Sequence, residues 1–316
     1  MAFARACAQP DQRPTLKPQH NMRRTLSSLV VLTGLLLAMP VFAGNPAGLL
    51  QFVPSSAEVV VGVDVDKLRG NPLWDRALSL SNNDGDLQSA LQEIGFDPRT
   101  TVTSIVFASS EAGDGAADHA VVLLETSYPA EELATALTGD GYEAGTVGEI
   151  TYYRKSESTV AFLSDGTLAI GEFALVQPAL GVAAGEGSAG ASGAVASQVS
   201  SVDTSSAIWA AVDLPSGSQG AESARLSVDL TSGFAARVTV RMESAETAST
   251  TATQITAQLG TLSGQPEVQG LGLGAVLSAV EAAASDADLN LSVNVDASTW
   301  GTLVETLGTL AEEEMR

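Results

Sequence analysis

Between Ala236 and Met242 every second residue is apolar: Ala236, Val238, Val240 and Met242 alternate with Arg237, Thr239 and Arg241. Leu289, Leu291, Val293 and Val295 alternate in the same way with Asn290, Ser292, Asn294 and Asp296, and Leu226, Val228 and Leu230 flank Ser227 and Asp229. Period two with one polar face predicts antiparallel sheet, one side on a core and one in water. Helical stripes supply that core. Ala248, Ala252, Ile255, Leu259 and Leu262 fall on one, and Trp300, Leu303, Val304, Leu307 and Leu310 on another. Ser244 and Ser298 are the expected N-caps. Pro129 suits the first turn of a helix, where its missing N–H costs nothing. Gly166 suits a tight turn after Asp165.

The order of these elements repeats. One segment opens with Ser55-Ser-Ala-Glu-Val-Val-Val-Gly-Val-Asp64 and another with Ser205-Ser-Ala-Ile-Trp-Ala-Ala-Val-Asp213. A strand from His119 to Glu125 is followed by a helix at Pro129; the strand Ala236 to Met242 is followed by a helix near Ser244. Each segment then has a hairpin with an acidic turn, Ser164–Thr167 or Ser285–Asp288. Each closes with a helix, near Phe173–Leu180 or Ser298–Leu310. The expected fold is α+β, in two tandem related repeats, each an antiparallel sheet backed by helices. Residues 44–184 form the first repeat, 205–316 the second, and the Gly/Ala/Ser-rich stretch 185–204 a flexible connector.

The amino-terminal region reads as an export signal. Met22 is followed by Arg23 and Arg24, then by an apolar run from Leu29 to Met39 that Pro40 ends. The small residues Val41 and Ala43 predict cleavage between Ala43 and Gly44, making 22–43 a signal peptide. The run is shorter than the ~20 apolar residues a bilayer span needs, so no stable membrane anchor is expected. With no cysteine at the cleavage site, a lipid anchor is not expected either. Residues 1–21, polar and proline-rich, read as an upstream extension or a start placed too early, with Met22 as the expected start. The protein is thus expected to be exported, to a periplasm or to the extracellular medium.

Export removes Cys7, the one cysteine, and His20, leaving His119 alone. Disulfides, thiolate metal sites, cysteine nucleophiles and multi-histidine sites are therefore not expected, and no cofactor is implied. Taking the leader's five basic residues and Asp11 from totals of 15 and 37 leaves ten basic against 36 acidic residues, a formal charge of −26. Such a surface repels nucleic acid and anionic lipid and suits cations or another envelope protein as partner.

Catalytic patterns are sparse. His119 reads as a strand-edge histidine, because no Gly-x-Ser-x-Gly elbow supplies it a nucleophile. In Asn82–Asp86, placing Gly85 sixth in a calcium loop puts Leu80 first and Leu91 twelfth, where oxygen ligands are needed. A polar turn is the better reading. Trp74, Trp209 and Trp300 sit among apolar residues as core anchors rather than a sugar platform. Arg237 and Arg241 share the polar face of one strand and are the candidate anion ligands; the simpler account pairs them with Asp213 or Asp229.

The leader followed by Leu50-Gln-Phe-Val-Pro-Ser-Ser-Ala57, then Val-Gly-Val-Asp64, Leu73-Trp74, Gly166-Thr-Leu-Ala-Ile-Gly171 and Ile208-Trp209, resembles a group of exported bacterial proteins with a duplicated α+β domain of unknown function. The resemblance implies an envelope protein and no activity. The expected function is a non-catalytic exported binding, adaptor or envelope-structural protein. The alternative is an exported hydrolase using dispersed carboxylates or a serine with His119.

Overall fold

A computed structural model describes residues 46–69, 71, 98–112, 116, 119–187, 190, 194–215, 218, 220–270 and 272–314. The expected signal peptide, the expected Ala43–Gly44 cleavage site, Trp74 and the turn expected at Asn82–Asp86 lie outside the described residues.

A 3-10 helix (Pro46–Phe52) precedes β1 (Val59–Asp64), α1 (Pro98–Thr101), β2 (Val102–Ser109), β3 (Ala120–Thr126), α2 (Ala130–Gly139), β4 (Glu143–Val147), β5 (Ile150–Lys155), β6 (Ser158–Ser164), β7 (Thr167–Glu172) and α3 (Phe173–Ala183). Then come α4 (Ala194–Val199), β8 (Ile208–Asp213), β9 (Ala221–Asp229), β10 (Gly233–Met242), α5 (Ala245–Ser263), α6 (Pro266–Gly270), α7 (Leu273–Ser278), β11 (Val280–Ser285), β12 (Asp288–Asp296) and α8 (Ala297–Glu314). The fold is α+β. Helix α4 falls inside the stretch whose composition reads as a connector, and its Val195 and Val199 are buried.

Where the sequence suggests one sheet per repeat, the strands form a single 12-stranded antiparallel sheet in the order β11-β12-β10-β9-β8-β1-β2-β3-β7-β6-β5-β4. The joint is β1 against β8, with Val59 opposite Val212 and Val63 opposite Ile208. Two reciprocal bonds close it: Asp64 N–H donates to Ala207 O at 2.8 Å, and Asp213 N–H donates to Glu58 O at 2.7 Å. Lys67 clasps the same joint, donating to Ser205 O and pairing with Asp64 at 2.9 Å. All six residues of β1 are buried, as a central strand covered on both faces requires.

The two faces of the sheet differ along its length. On one face α2 covers Ile105, Leu124, Val160 and Leu168, and α5 covers Val240, Leu289 and Leu291. On the other, the 3-10 helix, α3 and α4 bury Val60, Val106, Ala108, Leu123, Ala169 and Trp209 in the principal core. That second face continues across β9, β10 and β12 as Arg225, Ser227, Arg237, Thr239, Asn290 and Ser292. It is therefore apolar core in the first half and polar surface in the second. Helix α8 docks on β10 and β12, where Trp300 stacks on Phe234 at 4.3 Å and Leu303 and Val304 are buried.

Candidate functional site

The open polar face begins where α4 stops covering the sheet. There Asp213 (β8), Ser223 and Arg225 (β9), Arg241 (β10) and Asp288 (β12) share one side, and residues of and after α4 form a wall. Together they line an open depression of about 440 Å³, with Ser197, Gln198, Ser201 and Glu222 at its margin. The strand register dictates the arrangement. Asp213, Ser223, Arg241 and Asp288 stand in one row across four adjacent strands, and Arg225 stands one row below, opposite Thr239.

Of the two arginines singled out in the sequence, the structure brings Arg241 to this site and leaves Arg237 exposed, four residues away along β10. Arg241 does not pair with Asp213 or Asp229. Its Nη1 donates to Asp288 Oδ1 at 3.1 Å, because the β10–β12 register sets Asp288 directly opposite. Asp288, which the sequence places in an acidic turn, is thus an ion-pair residue at the head of a strand.

Arg225 escaped the sequence reading. The alternation that flanks Ser227 and Asp229 extends back to it, so the signal was present two residues upstream. Its side chain is only 24% exposed, and its nearest acidic partner is Asp288 Oδ2 at 3.9 Å, beyond hydrogen-bond range. A guanidinium carries five donors in a fixed fork. Among the described residues no acceptor lies within hydrogen-bond distance of them, and no side-chain partner meets the Asp213 carboxylate.

His119 lies elsewhere. Its Nε2 faces Glu111 Oε1 at 3.7 Å, both side chains about half exposed. Ser109 is close in space, but its buried hydroxyl is held by the backbone: it lies 3.0 Å from Glu111 O and 3.1 Å from His119 O, and accepts from Glu111 N–H at 3.2 Å. That serine is positioned as a loop tie, not as a nucleophile facing the imidazole. Among the described residues no group of three or more His, Cys, Asp or Glu could hold a metal ion, and no helix is long and apolar enough to cross a membrane.

No family model and no curated protein matches the chain. Among solved structures it is similar to TP0453. Crystal form III aligns with a TM-score of 0.49 at 12% identity, over 81% of this chain and 97% of that one. Crystal form I gives 0.47 at 11% identity over 83% and 96%, and crystal form IV gives 0.46 at 12% identity over 83% and 95%.

Proposed function

We propose that this chain is an exported, non-catalytic binding protein, working in a periplasm or outside the cell, whose ligand site is the polar depression bounded by α4, β8, β9, β10 and β12. The observation that carries the reading is Arg225: a side chain only 24% exposed that lines the depression, reaches Asp288 no closer than 3.9 Å and has no hydrogen bond among the described residues. A guanidinium carries five donors, so a ligand supplying acceptors there gains hydrogen bonds that the described residues do not make. Export rests on the leader, with cleavage between Ala43 and Gly44.

The same proposal includes a tandem duplication. Its support is the topology: β1-β2-β3-β7-β6 in the first half has the strand order of β8-β9-β10-β12-β11 in the second, with the hairpin β4–β5 added to the first. A binding site at the joint of two such units uses a face that one copy packs and the other leaves polar.

The test is a thermal-shift screen of the chain from Gly44 against small polar solutes, in wild type and in Arg225→Ala. At least one solute is expected to raise the melting temperature in wild type and not in the variant. No shift with any solute, or shifts equal in both proteins, would overturn the site.

A further inference from the structure

We propose that the depression takes a short zwitterionic peptide, with its carboxylate on Arg225 and its ammonium group on Asp213. This rests on the ligand-site reading above and narrows it to one class of ligand.

Asp213 lies opposite Ser223 in the β8–β9 register, and Arg225 is two residues further along β9 on the same face. Such diagonal neighbours lie about 7–8 Å apart, with their Cβ atoms somewhat closer. Opposite charges that close, on long side chains, ordinarily meet. Here they do not. Arg225 leans across β10 toward Asp288 on β12, away from β8. Among the described residues the Asp213 carboxylate has no hydrogen bond or ion pair. A carboxylate and a guanidinium thus line the same depression without pairing with each other.

Charge selects the class. Without its leader the chain has a formal charge of −26 and repels free anions over about 8–10 Å at ordinary salt, and Asp213 and Glu222 at the site oppose an anion locally. A simple cation would satisfy Asp213 and leave Arg225 unmet. A zwitterion carries no net charge against the field and offers each group its complement. Its carboxylate can accept two parallel bonds from the guanidinium fork.

Length selects among zwitterions. A free amino acid holds both charges on one carbon. Each added residue separates them by roughly 3.3–3.6 Å, so a dipeptide spreads its charges over the same order of distance as the ~7–8 Å between diagonal neighbours on a sheet. Gln198 and Ser201 also line the depression and offer polar side chains to the peptide group.

Isothermal titration of the chain from Gly44 with glycylglycine, N-acetylglycine and glycinamide tests this. Glycylglycine is expected to bind saturably, and the two singly charged analogues at least tenfold more weakly. Arg225→Ala and Asp213→Asn should each weaken glycylglycine at least tenfold with unchanged thermal midpoints, while Arg225→Lys keeps part of the affinity. Equal affinity for N-acetylglycine would make this an anion site, ending the zwitterion assignment but not the ligand site. Absence of binding by all three probes would also overturn the assignment, and the solute screen then decides whether a site remains.

Discussion

Gly62 shows how much one side chain constrains this molecule. A Cβ atom built there would lie 2.1 Å from Trp209 Cε2, far inside contact distance, because the indole lies flat over the β1 backbone at the joint. Trp209 is fully buried, so neither partner has room to yield. Gly62→Ala is expected to cost about 1–3 kcal/mol, the range for overpacked cores, read as a lowered urea midpoint. Trp209→Phe, which shrinks the ring, should recover part of that loss in the double variant; additive losses would show that the clash is elsewhere. The chemistry was half legible. Trp209 reads as a core anchor from its apolar neighbours, and an isolated glycine in an apolar strand signals close approach of another group. Which group approaches depends on β1 pairing with β8, which sets Trp209 opposite Gly62 from 147 residues away, and no local pattern carries that. Arg225 has the same lesson at the site: its face follows from alternation, its unmet donors only from where Asp288 and α4 come to rest.

Among the elements, the helix starts were read well where the cap lies outside the preceding strand. Ser244 Oγ accepts from Thr247 N–H at 3.1 Å, as its position before α5 predicts. For α8 the expected cap, Ser298, is itself inside the helix. Asp296 takes the role, with Oδ1 accepting from Ser298 N–H at 3.0 Å and Thr299 N–H at 3.1 Å. The sequence hid this because Asp296 is also the last polar position of the β12 alternation, so one residue ends the strand and caps the helix with no loop between. Hydrogen bonds from the Ser298 hydroxyl, then the Thr299 hydroxyl and amide, hold its carboxyl well below the usual carboxylate range. A carboxyl depressed on folding stabilises fully above its unfolded value, about 3.9 for Asp, and progressively less as pH falls toward its folded value. The stability gap between wild type and Asp296→Asn should therefore be largest above about pH 4 and narrow below it. Urea midpoints measured from pH 5 down to pH 3 check this; a constant gap across that window would show that the ionised carboxylate contributes nothing to the cap.

For the whole molecule, the reading of two separate sheets fails at the joint, yet its cause was visible in residue type. Val59–Val63 and Ile208–Val212 are nearly continuous apolar runs rather than alternating ones, and strands covered on both faces read that way. They are the two strands of the joint, each flanked by the other half as well as its own. Helix α4 strengthens the dependence, since Val195 and Val199 belong to the same core as Trp209, Val60 and Leu123. Separating residues 44–184 from 185–316 would turn β1 and β8 into exposed apolar edges, which are templates for uncontrolled pairing. Neither fragment alone is expected to sediment as a monomer; each should self-associate or precipitate. Produced together, they should combine one to one, because the β1–β8 register and its reciprocal Asp64 and Asp213 bonds are intermolecularly available. Sedimentation velocity on each fragment and on the mixture distinguishes the outcomes. A stable folded monomer from either fragment would mean that the halves are autonomous domains leaning on one another, and that the joint adds little to their stability.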